Sequence, residues 1–327
     1  MPKPPLRHPN PSRPQPCHLK ASLPHLWQQR PSLQPLNIRR WLGLILLAAL
    51  AILTLSGCSR VQIAYNTAEF TIELYADRYL GLDDRQVAIW RPVLASALDQ
   101  HRQDELPALS ALLTQAAGDV KVGLTADKVS AWMDQIEPLY QRHARLFAAT
   151  TAPLLATLSD AQIDALEKKF HDQALEDVTD DTPASLAKRQ RKRIERYIDN
   201  IEWTTGKLSP AQRELVRTQI ATLPDTATSW YTYRDQQRQA LIVLLRRGAD
   251  SEQLRSFLTH WLADLQGLPV DLVQARTQLR TGLIQLIVKL DASLSETQRH
   301  HLEQRLMILS EDFQGLQQPQ SKSIPGV

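Results

Sequence analysis

From about residue 60 onward, apolar residues recur at three and four positions, and strictly alternating Val/Ile/Thr runs are missing. That period belongs to helices with one buried face. In the last such run, Leu302, Leu306, Leu309 and Phe313 form one stripe, with Glu303, Gln304, Arg305 and Glu311 outside it. Leu254, Phe257, Leu258, Trp261, Leu262 and Leu265 form another, which Gly267-Leu268-Pro269 breaks before Leu279, Leu283, Leu286, Ile287 and Leu290 follow. Two amphipathic helices joined by a Gly/Pro turn predict an antiparallel hairpin. The expected fold is all-α, an elongated bundle of roughly ten helices with no sheet.

Helix starts are marked by a recurring local pattern: Leu82-Asp83-Asp84-Arg85-Gln86, Leu158-Ser159-Asp160-Ala161-Gln162, Leu208-Ser209-Pro210-Ala211-Gln212 and Leu294-Ser295-Glu296-Thr297-Gln298. In each, Asp or Ser is placed to cap the helix, and the glutamine three residues on reaches back to the cap's own N–H. The spacings of 76, 50 and 86 residues fit no fixed-period solenoid. The leucine before the cap can staple to Val87 and Ile163, but the matching positions elsewhere are Arg213 and Arg299. A fifth start, Leu124-Thr125-Ala126-Asp127-Lys128, lacks the glutamine.

The chain before this region has different patterning. Residues 1–36 hold ten of the twenty prolines and no hydrophobic period, the signature of a disordered extension. With no internal methionine before residue 37, an alternative is that translation starts at a non-AUG codon near Leu36. Residues 37–57 then carry Arg39-Arg40, an apolar run from Trp41 to Leu55 that is short for a membrane span, and small residues, which reads as a secretion signal. Leu55-Ser56-Gly57-Cys58 resembles the lipobox of bacterial lipoproteins, whose cysteine is acylated and becomes the first mature residue. Ser59 stands where an aspartate would mark inner-membrane retention, so the resemblance implies the periplasmic face of the outer membrane. The expected divisions are an all-helical domain over 58–318 and a disordered tail over 319–327.

Loss of residues 1–57 removes seven of the 38 Lys/Arg and none of the 35 Asp/Glu, so the mature net charge is near −4 although the whole chain is at +3. An acidic surface is poorly suited to general nucleic-acid binding. Cys58 would be the only mature cysteine, which leaves no disulfide, thiolate metal site or cysteine nucleophile.

Two family resemblances arise. The capping pattern is similar to the L-T-x-x-Q helix starts of periplasmic stress chaperones of the spheroplast-protein-Y type. More extensively, "AYNTAEFTIELYADRYLGLDDRQ", "LDQHRQDELPALSALL" and "SWYTYRDQQR" resemble a bacterial lipoprotein family of unknown function. The residues carried by that resemblance are Tyr65, Asn66, Tyr79, Gln86, His101, Arg102, Glu105, Leu106, Pro107, Trp230 and Arg234, with Gln100 standing where the family suggests an aromatic.

Of these, His101, Arg102, Glu105, Trp230 and Arg234 form the candidate functional cluster. His101 and Glu105 lie one helical turn apart, a spacing open to metal binding or proton relay, but two ligands do not close a zinc site and no HExxH completes one. The alternative is a buried ion-pair corner ending at Pro107. His300 and His301 point to different helix faces. The acidic group Glu176, Asp177, Asp180 and Asp181 lacks an EF-hand pattern, and the basic run from Lys188 to Arg196 suggests intramolecular pairing or a charged face, with Ile194, Tyr197, Ile198 and Ile201 turned inward. Trp203, Trp230, Tyr231 and Tyr233 read as core anchors. No Gly-rich phosphate loop or G-x-S-x-G elbow is present, so neither a cofactor nor a catalytic residue is assigned. The expected role is non-catalytic binding of an envelope protein, with the membrane reached through Cys58. Chaperone-like binding of unfolded clients and an enzyme acting on peptidoglycan or lipid are the alternatives.

Overall fold

Each of the four glutamine caps forms, and their side chains then join them in pairs. The computed structural model describes residues 60–179 and 183–317, so Leu55, Ser56, Gly57 and Cys58, the segments 1–36 and 37–57, Asp180, Asp181 and the tail 319–327 lie outside the described residues. Those described fold into twelve helices with no strand among them: α1 (Arg60–Asn66), α2 (Ala68–Leu80), α3 (Asp84–Asp104), α4 (Leu106–Val122), α5 (Ala126–Leu155), α6 (Asp160–Thr179), α7 (Pro183–Thr205), α8 (Pro210–Ala221), α9 (Ala227–Arg246), α10 (Ser251–Leu262), α11 (Val270–Ser293) and α12 (Glu296–Gln317).

At the start of α3, Asp83 accepts from the Gln86 N–H at 2.7 Å while Gln86 Oε1 accepts from the Asp83 N–H at 3.0 Å. The same Gln86 amide donates to the Thr157 carbonyl at 2.8 Å and to Gln162 Oε1 at 3.0 Å, and Gln162 answers by donating to the Gly81 carbonyl at 2.7 Å. The caps of α8 and α12 repeat this arrangement. Gln212 donates to the Ser293 carbonyl at 2.8 Å and Gln298 Oε1 at 2.9 Å, and Gln298 donates to the Lys207 carbonyl at 2.9 Å. In both pairs, each amide reaches the carbonyl two residues before its partner's cap.

The packing repeats with the caps. Buried residues three, seven and eleven positions past the cap are Gln86, Trp90 and Leu94 on α3, and Gln212, Val216 and Ile220 on α8. Helix α2 packs on α3 and α6, and α3 on α5; α7 likewise packs on α8 and α12, and α8 on α11. One structural frame is therefore used twice, which the unequal cap spacings conceal. A fifth capping box, Asp250 with Gln253, opens α10 without such a bridge.

The predicted hairpin of the 254–265 and 279–290 stripes does not form. Leu254 and Leu258 join a core with Ala148, Ile163 and Leu241 from α5, α6 and α9, whereas Leu286 and Leu290 join Ile198, Val216 and Ile220 from α7 and α8. The cause is the connection between them: α10 ends at Leu262, Leu265 adopts φ 51° and Gly267 φ 71°, and the Tyr233 hydroxyl donates to the Gln266 carbonyl at 2.9 Å, holding the turned chain. Leu265 is thus outside the helix that its stripe predicted.

Helix α12 also differs from its stripe. Leu302, Leu306, Leu309 and Phe313 are only half-buried, and the seam with α4 centres on Ser310, whose hydroxyl lies 2.9 Å from Ser110 Oγ and 2.8 Å from Thr114 Oγ1. Small hydroxyl side chains let the two helices approach closely, and their mutual hydrogen bonds satisfy groups that would be costly to bury alone. Gly282 serves a similar close approach on α11, where a Cβ would fall 2.2 Å from a methyl of Leu223.

Ile194, Tyr197, Ile198 and Ile201 face the core as predicted. The neighbouring cations serve the end of α8: Arg193 donates to the carbonyls of Ile220, Leu223 and Pro224 at 3.0 to 3.1 Å, and Arg189 pairs with Asp225. These carbonyls lie at and just past the C-terminal end of α8, which attracts positive charge. Tyr233 is a core anchor as expected, fully buried, but Trp203 is not; it is 52% exposed, with the Arg305 guanidinium 4.2 Å above its ring.

Candidate functional site

Helices α2, α3, α5, α6, α9 and α10 line a half-open cavity of about 620 Å³. Trp90, Leu94, Leu155, Leu166, Leu241 and Leu258 build its wall, all of them buried. The wall is apolar because each helix presents its core stripe here and no side chain fills the space between them. The volume lies within the roughly 300–1,000 Å³ of small-molecule sites. Trp90 supplies shape as well as area: its Nε1 donates to the Thr150 carbonyl at 2.8 Å, while the Thr150 hydroxyl donates to Leu146.

Few groups with chemistry interrupt this surface, and they share one character. His101 from α3, His143 from α5, and Arg234 and Arg238 from α9 line the cavity, and no Asp or Glu among the described residues does so. The Arg238 guanidinium lies 5.2 Å from the centre of the Phe170 ring and makes no ion pair among the described residues. Arg234 lies 5.0 Å from the Tyr231 ring. The imidazoles of His101 and His143 are 4.8 Å apart, and Tyr65 from α1 places its hydroxyl 2.9 Å from His101 Nδ1. His143 Nε2 is buried with no hydrogen-bond partner among the described residues.

The five candidate residues therefore part company. His101 and Arg234 reach the cavity. Glu105 does not: it ends α3, is buried, and accepts two bonds from Arg142 Nε at 2.9 and 3.1 Å. Arg102 turns toward α12, donating to the Leu316 carbonyl at 3.3 Å and covering the Tyr65 ring. Trp230 packs edge-on against Tyr233. Glu105 thus forms an ion-pair corner with Arg142 of α5 rather than a pair with His101. No group of three His, Cys, Asp or Glu among the described residues could hold a metal ion.

Burial holds the His101 imidazole below its ordinary range, the neighbouring His143 adds to this, and the Glu105 charge opposes both. Tyr65, held above its usual range chiefly by burial, and Arg102 complete the surroundings. Since the unfolded chain takes up its proton first, near about pH 6.5, stability should fall as pH drops through that value. Urea unfolding between pH 7.5 and 5.5 should show this slope, and His101→Gln should flatten it. An unchanged slope in the variant would assign the effect elsewhere.

His143, Arg238 and Phe170 were missed by reading the sequence. Arg234, Arg238, Leu241 and Leu245 occupy one face of α9 at successive turns, so two arginines placed on an apolar stripe were the available signal.

Residues 78–268 match a family of unknown function (DUF6279). The chain belongs to this family. The matched segment contains Tyr79, Gln86, His101, Arg102, Glu105, Leu106, Pro107, Trp230 and Arg234, whereas Tyr65 and Asn66 precede it. All of the cavity wall except the α2 residues Ile72, Tyr75 and Ala76 falls inside it. No curated protein and no solved structure matches the chain.

Proposed function

We propose that this protein is a non-catalytic binding lipoprotein of the bacterial envelope, held through Cys58 at the periplasmic face of the outer membrane, and that its cavity receives an apolar ligand. The observation that carries the reading is the 620 Å³ cavity, apolar in its wall and without a carboxylate among its described lining residues. An enzyme acting on peptidoglycan or lipid would call for several convergent titratable groups, and Glu105 is committed to Arg142. The glutamines of the chaperone-like pattern are likewise committed, to the helix junctions.

One further feature supports membrane attachment. Helix α1 begins two residues after Cys58, and just beyond it Phe70 and Leu74 stand exposed one turn apart on α2. Two or three acyl chains on Cys58, each buried methylene worth about 0.8 kcal/mol, would make attachment effectively permanent.

Cell fractionation of the wild type and Cys58→Ala tests the anchor. The wild type should sediment with the outer membrane and be labelled by a palmitate analogue, and the variant should incorporate no label while keeping its helical circular dichroism. Equal labelling would refute the assignment of Cys58. Binding of the neutral apolar dye N-phenyl-1-naphthylamine, with energy transfer from Trp90 and Trp261, tests the cavity; absence of transfer would remove the ligand-binding reading.

A further inference from the structure

The geometry points to a fatty acid, a single acyl chain ending in a carboxylate, as the ligand of this cavity. The inference rests on the proposed binding role and adds the chemistry of the ligand. Size sets the first condition. A methylene fills about the space of one water, roughly 30 Å³, so a half-open cavity of 620 Å³ has room for one acyl chain and its head.

Charge sets the second. Arg234 and Arg238 stand one turn apart on α9 and both line the cavity, together with His101 and His143. Arg238 is half-buried, rests on Phe170 and has no ion pair among the described residues. A guanidinium in partly apolar surroundings gains from an anion, and its planar fork matches the two oxygens of a carboxylate. A neutral sterol or alkane would leave this charge uncompensated, and an organic cation would be repelled by it.

Backbone chemistry excludes the main competitor. An extended peptide brings one N–H and one C=O per residue, each needing a partner once removed from water. Thr150 is already engaged through both its carbonyl and its hydroxyl, and most of the remaining wall is hydrocarbon. An acyl chain makes no such demand. Its hydrocarbon suits a wall built from Leu94, Leu155, Leu166, Leu241 and Leu258.

The test uses the lipidated full chain in phosphatidylcholine nanodiscs, with empty nanodiscs subtracted, and the fluorescent fatty acid cis-parinaric acid beside its methyl ester. Trp90 and Trp261 line the cavity and act as energy donors. The acid should bind at least about tenfold more tightly than the ester, the effect expected for one charge-assisted bond. Arg238→Gln should close most of that gap, and Arg234→Gln provides a second variant should the first fail to fold, as judged by circular dichroism. Equal binding of acid and ester would overturn the fatty-acid assignment while leaving the apolar cavity as a ligand site. Transfer from neither, with no response to N-phenyl-1-naphthylamine, would overturn both. Displacement of bound acid by an unfolded polypeptide, with no preference for acid over ester, would also refute it and favour a peptide client.

Discussion

Replacing Arg299 with alanine is expected to destabilise the protein by about 3–5 kcal/mol, the usual cost of leaving one member of a buried ion pair alone. Asp291 is buried at the end of α11, and its Oδ1 accepts from Arg299 Nη1 at 2.6 Å while Oδ2 accepts from the Leu124 N–H at 3.0 Å. Arg299 also donates to the Val120 carbonyl at 2.6 Å and the Asp291 carbonyl at 2.9 Å. One guanidinium therefore links the ends of α4 and α11 to the start of α12, while the carboxylate it holds secures the chain entering α5. Truncation strands a carboxylate and removes the donor from two carbonyls at once.

The pair is largely shielded, with side-chain exposures of 26% for arginine and 7% for aspartate, so added salt should change the loss little. The double variant Arg299→Met with Asp291→Leu should recover much of it, because no charge is then left buried. Equilibrium urea unfolding checks both statements. A loss below about 1 kcal/mol for Arg299→Ala would mean that water reaches Asp291 and the junction is not held this way.

Arg299 also shows where sequence reading stops. The apolar period of α7, α10 and α11 was legible because it depends on spacing within one helix. An arginine in the first turn looked like a missing hydrophobic staple, and a cation is unfavourable there on its own account; its reason lies in Asp291 and Val120, which adjacency in sequence cannot reveal for the latter. The hairpin failed for a related reason. A Gly/Pro break predicts a turn but not its direction, and the positive φ of Leu265 and the bond from Tyr233 send α11 to a different core. At the candidate site, His101, Glu105 and Arg234 all came from the family resemblance, and the one-turn spacing then joined Glu105 to His101 as one group. The position of Glu105 at the α3–α4 junction turns it to Arg142 on a third helix. The cavity itself had no linear signature, since six helices contribute to its wall.

Gln86→Ala is the second large expected effect, a loss of about 2–4 kcal/mol. The lost return bond to the Asp83 N–H accounts for about 1 kcal/mol, and buried partners left without a hydrogen bond for about 1–3 more. Gln86 is 6% exposed, returns a bond to Asp83, and reaches both Thr157 and Gln162 on the far side of the junction. The chain contains its own control. Gln253 makes the same capping box with Asp250 but is exposed and bridges to no second cap, so Gln253→Ala should cost only about 0.5–1 kcal/mol. A double-mutant cycle between Gln86 and Gln162 should give a coupling of about 1 kcal/mol or more, and Gln86 with Gln253 should be additive. Equal losses for Gln86→Ala and Gln253→Ala would reduce the bridge to ordinary capping. If the larger loss is found, the bridge also bears on the cavity, because it joins α3, which carries Trp90, to α6, which carries Phe170. Loosening it should weaken apolar-dye binding before the protein unfolds, linking helix initiation to the ligand site through two glutamine amides.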